Sequence, residues 1–240
     1  MAYYTDIHTH ILPGVDDGSQ DMRTSMKMLR EAYKEGVRTI FLTPHYIPGR
    51  HNASTETLKS LFEEIKEEAA EKLPELTIFL GNELYYRDGV VDHVRDGSAL
   101  TMAGSDYVLV EFNTRSEFSR IRSAVKKFTE AGYRPILAHI ERYDCLYKQI
   151  DLIDELIEAG AYMQVNVDSF PGGLFDSHAA FCRKLLEEGK ISFLGSDCHD
   201  LDKRKPAMQS ELKKLKAGKY EHAIERCARN TAKMIANEWI

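Results

Sequence analysis

Seven short β-forming runs that alternate with helical stretches constrain the fold of this chain more than any other feature of its sequence. The runs span residues 3–7, 38–43, 76–80, 106–111, 134–138, 161–167 and 191–194. Stretches with apolar residues at helical spacing lie between them, at 22–35, 55–71, 117–131, 149–159 and 178–188. Regular alternation of strands and helices predicts a parallel sheet covered by helices, which is the α/β class.

Closure of this sheet into a barrel is the arrangement that seven repeats favour, with an open doubly wound sheet as the alternative. The 240 residues match the usual size of one α/β barrel, and 43% of them are hydrophobic, enough for a sizeable core. We therefore predict a single domain over residues 1–240. Its last part, from about residue 207, has no strand pattern and is predicted to form two or three helices.

Charge and composition narrow the functional classes. The net charge of −6 argues against a nucleic-acid-binding surface, which usually needs a basic patch. The N-terminal sequence lacks the pattern of a signal peptide, and no stretch approaches the roughly 18 apolar residues of a membrane span. The four cysteines form no CxxC pair, which is typical of reduced thiols. We expect a cytoplasmic protein without direct membrane insertion.

Residues of the types that bind metals follow six of the seven predicted strands. In chain order they are His8 and His10, His45, Glu83, Glu111, His139, and Asp197 with His199. The carboxyl ends of the strands of an α/β barrel open onto one face, which holds the active site. Each residue alone has an ordinary explanation, such as capping a turn or forming a surface ion pair. Their shared topological position favours a metal site.

The chemistry of these side chains restricts the metal and its number. Imidazole and carboxylate groups without an obligatory thiolate suit Zn, Mn or Fe. A catalytic zinc ion typically takes three protein ligands, so the candidates exceed what one ion needs. The sequence therefore predicts two or more metal ions, and such clusters activate water and clamp a transferring phosphoryl group.

Two arginines indicate the substrate class. Arg142 lies three residues after His139, and Arg204 lies five residues after His199. Guanidinium groups bind phosphate oxygens in a bidentate manner, so we expect a phosphate ester as substrate. Surface ion pairs are the alternative role for both side chains.

The segment 198–204 also has the C-x5-R spacing of a cysteine-based phosphatase loop. Such a loop binds phosphate through backbone N–H groups and needs small, uncharged residues between the cysteine and the arginine. Here Asp200 and Asp202 would repel phosphate, and no glycine is present. We interpret the spacing as coincidental and Cys198 as a buried structural thiol.

Five motifs resemble those of the PHP (polymerase and histidinol phosphatase) superfamily. They are DIHTHILPGVDDGS at 6–19, TPHY at 43–46, GNELYY at 81–86, AHIERY at 138–143 and GSDCHD at 195–200. The chain resembles more closely the manganese-dependent protein-tyrosine phosphatases of Gram-positive capsule and exopolysaccharide operons, to about residue 235. The long HxHxLPGxDDG opening separates this branch from other PHP proteins.

The resemblance implies a distorted TIM-like (β/α)7 barrel of the PHP type with two to three metal ions. The implied ligands are His8, His10, Glu83 and Asp197 for one ion, Asp17, His45 and His199 for a second, and Glu83, Glu111 and His139 for a third. Asp17 is implied by the resemblance alone, and the adjacent Asp16 is the less favoured choice. Mn²⁺ is the implied metal, with Fe or Zn as alternatives.

The implied activity is hydrolysis of phosphotyrosine by a hydroxide that bridges the metals and attacks phosphorus in line. Arg142 and Arg204 match the phosphate-binding arginines of the family. His199 or a water molecule would protonate the leaving group, and the general acid stays unassigned. The implied partner is a bacterial tyrosine kinase that controls polysaccharide synthesis and carries a tyrosine-rich C-terminal tail.

Three other functions stay open at this point. The first is a PHP phosphatase that hydrolyses a small phosphate monoester such as histidinol phosphate. The second is a non-catalytic regulator that uses the metals to hold a partner, which the intact ligand set argues against. The third is a metal-dependent amidohydrolase or deaminase on a similar barrel, although the paired arginines are better explained by phosphate.

Overall fold

The computed structural model of the chain describes residues 3–173, 175–215 and 218–240. The strands in these residues are β1 (Tyr4–Asp6), β2 (Val37–Leu42), β3 (His45–Tyr46), β4 (Thr77–Leu80), β5 (Glu83–Tyr85), β6 (Tyr107–Glu111), β7 (Arg134–Leu137), β8 (Tyr162–Asn166) and β9 (Phe193–Gly195). The helices are α1 (Met22–Lys34), α2 (Thr55–Lys72), α3 (Val90–Arg95), α4 (Phe118–Glu130), α5 (Ile150–Glu158), α6 (Ser177–Glu187), α7 (Met208–Leu212) and α8 (Glu221–Ile235).

The strands pair in parallel and form two sheets. One sheet has the order β1-β2-β4, and the other has the order β3-β5-β6-β7-β8-β9. Each pairing between neighbouring strands in the described part of the chain is parallel. The predicted α/β class with parallel strands is confirmed, whereas the described residues contain nine strand segments rather than the seven predicted.

The two additional strands, β3 and β5, lie just beyond the ends of the strands predicted at residues 38–43 and 76–80. Thr43 and Pro44 separate β2 from β3, and proline supplies no N–H group for a ladder. The N–H of Gly81 donates to Leu42 O at 3.0 Å, and the N–H of Glu83 donates to Pro44 O at 3.1 Å. The chain therefore keeps its direction across both breaks. It continues into β3, which begins at His45, and into β5, which begins at Glu83.

The first and last strands also lie side by side. The N–H of Ile7 donates to Leu194 O at 3.2 Å, and the N–H of Asp197 donates to His8 O at 2.8 Å. Farther along, the N–H of His10 donates to Cys198 O at 2.9 Å. These bonds connect the chain at the carboxyl end of β1 to β9 and to the residues that follow β9.

Local sequence explains where the helices begin and end. The carboxylate of Asp21 accepts the N–H of Thr24 at 2.7 Å and caps α1, and the hydroxyl of Ser54 caps α2 in the same way. Gly36 follows α1 with a φ of +78°, a conformation that glycine adopts without strain. The predicted helices match the observed ones within about two residues, but α3 has only six residues and was too short for its period to be recognised.

The interior enclosed by the strands is filled with apolar side chains and is sealed at its amino end by α8. The enclosed cluster comprises Ile7, Phe41, Met102, Tyr107, Leu109, Ile136, Ala138, Phe193 and Met234. Met234 comes from α8, and Thr231 of the same helix bonds to Thr5 at 3.2 Å between their hydroxyl oxygens. The opposite end, where the strands finish, is therefore the end at which polar groups meet solvent.

The C-terminal part contains α7 and α8, which agrees with the predicted two or three helices. Across residues 3–173, 175–215 and 218–240, none of the helices combines the length and apolar character needed to cross a membrane.

Candidate metal centre

The ligand-type residues predicted at the strand ends converge at the carboxyl end of the sheets. Three sets of side chains bring ligand atoms within 4.8 Å of one another: His10, Asp17, His45 and His199; His8, His10 and Asp197; and His45, Glu83 and Glu111. Most of these side chains are buried, His45 and Glu111 are partly buried, and Asp17 is exposed. The structure thus brings the predicted set together, and it places His139 against Glu83 in addition.

The first group consists of His8, His10, Glu83 and Asp197, and the distances between its ligand atoms suit one cation. His8 Nε2 lies 3.2 Å from both His10 Nε2 and Glu83 Oε2, and His10 Nε2 lies 3.2 Å from the same Glu83 oxygen. Asp197 Oδ1 is 3.6 Å from His8 Nε2 and 3.4 Å from His10 Nε2. Ligands about 2.0–2.1 Å from a tetrahedral ion are roughly 3.3–3.4 Å from one another. The observed separations fit such a site.

The second group consists of Asp17, His45 and His199 and lies at the entrance of the cluster. Asp17 Oδ1 is 3.5 Å from both His45 Nε2 and His199 Nε2. The ring of His10 packs against the ring of His199, with centroids 3.8 Å apart, which joins this group to the first. Because 66% of the Asp17 side chain is exposed, this group is the one that solvent and ligands reach most easily.

The third group consists of Glu83, Glu111 and His139. His45 lies between this group and the group of Asp17. His139 Nε2 is 3.0 Å from Glu83 Oε1 and 3.7 Å from Glu111 Oε1. His45 Nδ1 is 2.9 Å from Glu83 Oε2 and 3.9 Å from Glu111 Oε2. The resemblance assigns His45 only to the group of Asp17, whereas its two ring nitrogens face two different groups here.

Buried atoms without hydrogen-bond partners indicate that the cluster fits metal ions. Within the described residues, His45 Nδ1, Glu83 Oε2 and His199 Nε2 are buried and lack a hydrogen bond. The 2.9 Å contact between His45 Nδ1 and Glu83 Oε2 is close enough for one but does not have its alignment. A buried polar atom left unpaired costs about 1–3 kcal/mol. Cations between these atoms would satisfy all three.

Asp16 has a role that the sequence did not reveal. Its carboxylate accepts the Nδ1–H of His10 at 2.7 Å, the N–H of Gly18 at 3.0 Å and the N–H of His45 at 3.1 Å. Burial raises the pKa of Asp16, but the bond and charge of His10 outweigh burial and lower that pKa to about 2. A carboxylate behind a histidine directs the other ring nitrogen toward a metal. The doublet of Asp16 and Asp17 was the available signal.

The two predicted phosphate-binding arginines converge on one carboxylate. Arg142 NH1 donates to Asp197 Oδ2 at 2.8 Å, and Arg204 NH2 lies 2.7 Å from Asp197 Oδ1. Burial raises the pKa of Asp197, but His8 and His10 hold it well below its usual range, so the carboxylate is charged. The arginine side chains are 38% and 41% exposed, which leaves further N–H groups free to face an anion.

The surroundings of His199 suit a metal ligand better than a general acid. Burial, His10 and Arg204 together lower the pKa of His199 to about 4. Its ring is therefore neutral near pH 7, which is the form that binds metals and not the form that donates a proton.

The loop at 198–204 does not form a cysteine-phosphatase cradle. Cys198 is fully buried, and burial raises the pKa of its thiol well above the usual range. The carboxylate of Asp200 accepts the N–H groups of Asp202, Lys203 and Arg204 at 2.7, 2.7 and 3.1 Å. Since a carboxylate already occupies these donors, they are not available to phosphate.

Two buried amide side chains next to the cluster were also missed. Gln164 and Asn166 lie on β8, the strand after which no ligand was predicted. Residues two apart on a strand face the same side, so the two amides point the same way. A pair of amides at this spacing in an otherwise apolar strand was the signal in the sequence.

Comparison with known proteins identifies the family. The family model described as capsular polysaccharide synthesis, CpsB/CapC, matches residues 4–236. Tyrosine-protein phosphatase CpsB of Streptococcus agalactiae serotype V is 33% identical over 213 residues, which cover 87% of this chain and 88% of the relative. Tyrosine-protein phosphatase CpsB of Streptococcus pneumoniae is 34% identical over 209 residues, or 85% and 86% of the two chains.

A solved structure agrees with this relationship. It comes from the crystal structures of YwqE from Bacillus subtilis and CpsB from Streptococcus pneumoniae, which are described as unique metal-dependent tyrosine phosphatases. The match has a TM-score of 0.88 and 27% sequence identity and covers 98% of this chain and 96% of the other. The chain therefore belongs to the CpsB/CapC family of capsular polysaccharide synthesis proteins.

Proposed function

We propose that this protein is a metal-dependent protein-tyrosine phosphatase. The observation that carries the proposal is a buried histidine and carboxylate cluster in which Arg142 and Arg204 both contact Asp197. The relatives named as tyrosine-protein phosphatases support the same activity. Its proposed substrate is phosphotyrosine in a bacterial tyrosine kinase with a tyrosine-rich C-terminal tail that regulates capsular or exopolysaccharide synthesis.

The proposed cofactor is Mn²⁺, with two to three ions per chain and with Fe or Zn as alternatives. The proposed ligands are His8, His10, Asp17, His45, Glu83, Glu111, His139, Asp197 and His199. When bound, the ions would polarise phosphoryl oxygens and lower the pKa of a water molecule that serves as nucleophile.

Arg142 and Arg204 are proposed to bind and orient the phosphate. Because Asp197 accepts an N–H of Arg142 and forms an ion pair with Arg204, the two guanidinium groups are restrained before substrate arrives. Donors that are already positioned stabilise developing charge without rearrangement, so they contribute more in the transition state than flexible donors would. The leaving group is a phenolate with a pKa of about 10, which depends less on protonation than an alkoxide does. His199 therefore serves mainly as a ligand beside the reacting phosphate.

We further propose that the two sheets are parts of one distorted seven-repeat barrel in a single domain over residues 1–240. In this interpretation β2 with β3, and β4 with β5, each count as one strand. The bonds from Ile7 to Leu194 and from Asp197 to His8 support closure between the first and last strands. A cytoplasmic location is proposed because the four cysteines, all among the described residues, are free thiols.

The test measures hydrolysis of a phosphotyrosine peptide and of histidinol phosphate by chelator-treated protein, before and after addition of Mn²⁺. We expect the peptide to be hydrolysed only with metal and not by His139→Ala. The control is His222→Ala, because this histidine is exposed on α8. Hydrolysis of histidinol phosphate alone would replace the proposed substrate with a small phosphate ester, and full activity without metal would reject the proposal.

A further inference from the structure

We propose that Gln164 and Asn166 are positioning residues that orient His8, His139 and Asp197 for metal binding. Both amides are fully buried on β8, the one predicted strand without a ligand at its end. They form a continuous relay of hydrogen bonds along one side of the cluster. This inference rests on the proposed metal-dependent function.

The direction of every bond in the relay follows from one backbone group. The N–H of His139 can only donate, and it donates to Gln164 Oε1 at 2.8 Å. The atom facing His139 is therefore the amide oxygen, and His8 Nδ1, 3.2 Å from the same oxygen, must carry a proton to bond with it. A neutral His8 ring with its proton on Nδ1 has its lone pair on Nε2, which faces Glu83.

The amide nitrogen of Gln164 extends the relay to Asp197. Gln164 Nε2 donates to Asn166 Oδ1 at 2.9 Å, so the nitrogen of Asn166 must point away from Gln164. Asn166 Nδ2 donates to Asp197 Oδ2 at 3.1 Å. The other oxygen of this carboxylate, Oδ1, is the one that faces His8 and His10.

Two of the residues that the relay holds have strained backbones. His139 has a φ of +32° and Asp197 a φ of +54°, in the region that residues with a side chain rarely adopt. Such conformations cost about 1–3 kcal/mol and persist only where the surroundings fix them. The relay bonds the backbone N–H of His139 and the side-chain carboxylate of Asp197.

Gly195 makes the close approach of the relay to β1 feasible. A Cβ atom at this position would lie 2.7 Å from the Cβ of His8 and 2.9 Å from Gln164 Nε2. Real Cβ atoms are not found at such distances, so any other residue would push His8 and Gln164 apart. The packing of β9 therefore supports the same contact that the hydrogen bonds define.

The experiment measures Mn²⁺ binding by calorimetry to the chelator-treated full chain. Gln164→Leu keeps a similar volume but leaves the His139 N–H without its acceptor and His8 without its fixed tautomer. Loss of a partner behind a metal ligand typically weakens metal affinity by about 10–100-fold, and we expect a change in Mn²⁺ Kd of that size. The matched control is Gln209→Leu, because this glutamine lies near Gly36 at the amino end of β2.

A second variant protects the test against a failure to fold. Asn166→Leu removes the bond to Asp197 and the bond that Gln164 Nε2 donates to Asn166 Oδ1, but it leaves the contacts of Gln164 Oε1 with His8 and His139. We therefore expect a smaller loss of affinity. Because the residues act in series, the double variant should bind Mn²⁺ about as weakly as Gln164→Leu alone. Circular dichroism and the Tm establish which variants are folded.

The outcomes separate the relay from the proposed function. Wild-type protein that binds no Mn²⁺ would overturn both. Wild-type binding together with unchanged Mn²⁺ Kd in a folded Gln164→Leu or Asn166→Leu variant would overturn the relay alone, as would losses that simply add in the double variant.

Discussion

Glu83 is the residue that joins the groups of the candidate metal centre. Its two oxygens lie 2.9–3.2 Å from ring nitrogens of four histidines, namely His8, His10, His45 and His139. Burial raises the pKa of Glu83, but these rings lower it well below its usual range, so the group is charged in the interior. A buried charge needs partners of this kind because the isolated ion is poorly tolerated away from water.

At the residue scale, Arg142 tests whether the geometry of the guanidinium or only its charge matters. Arg142→Lys keeps the charge but loses the planar fork that bonds Asp197 and faces phosphate. A hydrogen bond to a charged group contributes about 1.5–3 kcal/mol. We expect kcat/KM for a phosphotyrosine peptide to fall by about 10–100-fold while Mn²⁺ Kd changes little.

The control for this variant is Arg120→Lys on α4, whose guanidinium lies over the ring of Tyr86 at 5.5 Å. Unchanged peptide hydrolysis by Arg142→Lys would remove Arg142 from substrate binding. An equal loss in both variants would indicate a general effect of the substitution.

At the scale of elements, the segment between β1 and α1 folds back tightly on the candidate metal centre. The N–H of Ser19 donates to His10 O at 2.9 Å, and this turn presents Asp16 and Asp17 to different histidines. A Cβ at Gly18 would lie 2.0 Å from the carbonyl oxygen of His10. The glycine is therefore required by the close approach of two backbone segments.

Gly18→Ala should displace this turn and weaken the contact between Asp16 and His10. We expect Mn²⁺ Kd to rise by about 10–100-fold, measured by calorimetry, since the carboxylate that orients a ligand is moved. Gly173→Ala is the control, because a Cβ at Gly173 meets no atom within 4 Å. If Gly18→Ala bound Mn²⁺ as tightly as the wild type, the turn would not determine the geometry of the site.

At the scale of the whole molecule, the carboxyl and amino ends of the strands have different roles. The carboxyl end gathers the polar cluster, and α8 closes the amino end through Met234 and through the bond between Asn230 Nδ2 and Ser192 O at 3.0 Å. Arg134 extends this closure by donating to Asn237 O at 2.9 Å. These contacts at the amino end stabilise the fold without involving residues of the candidate metal centre.

Met234→Ala tests this separation. The side chain is fully buried in the enclosed cluster, and truncating such a residue costs about 2–5 kcal/mol of unfolding free energy. Urea denaturation should show that loss, while Mn²⁺ Kd of the folded protein stays near the wild-type value. Ile157→Ala, at a position that is 36% exposed, should cost much less. A Met234→Ala protein as stable as the wild type would contradict the role of α8.

Much of the fold and of the candidate site could be predicted because the relevant signals are local. Helix periodicity and caps such as Asp21 and Ser54 depend on neighbours a few residues away, and these helices were placed within about two residues. Ligand types such as His8 and His139 follow strands that are recognisable by themselves. The breaks at Pro44 and Asn82 were not predicted, because the contacts that continue the chain direction are made between different strands.

The sequence by itself determined the α/β class, the positions of the helices and the placement of histidine and carboxylate residues at the strand ends. Only the tertiary structure decided that Asp16 orients His10 while Asp17 faces His45 and His199. It also decided that Gln164, 156 residues from His8 along the chain, bonds the ring of that histidine. The physical reason is range: periodicity and capping act within a few residues, whereas the partners of a buried polar atom are set by whichever strands pack beside it.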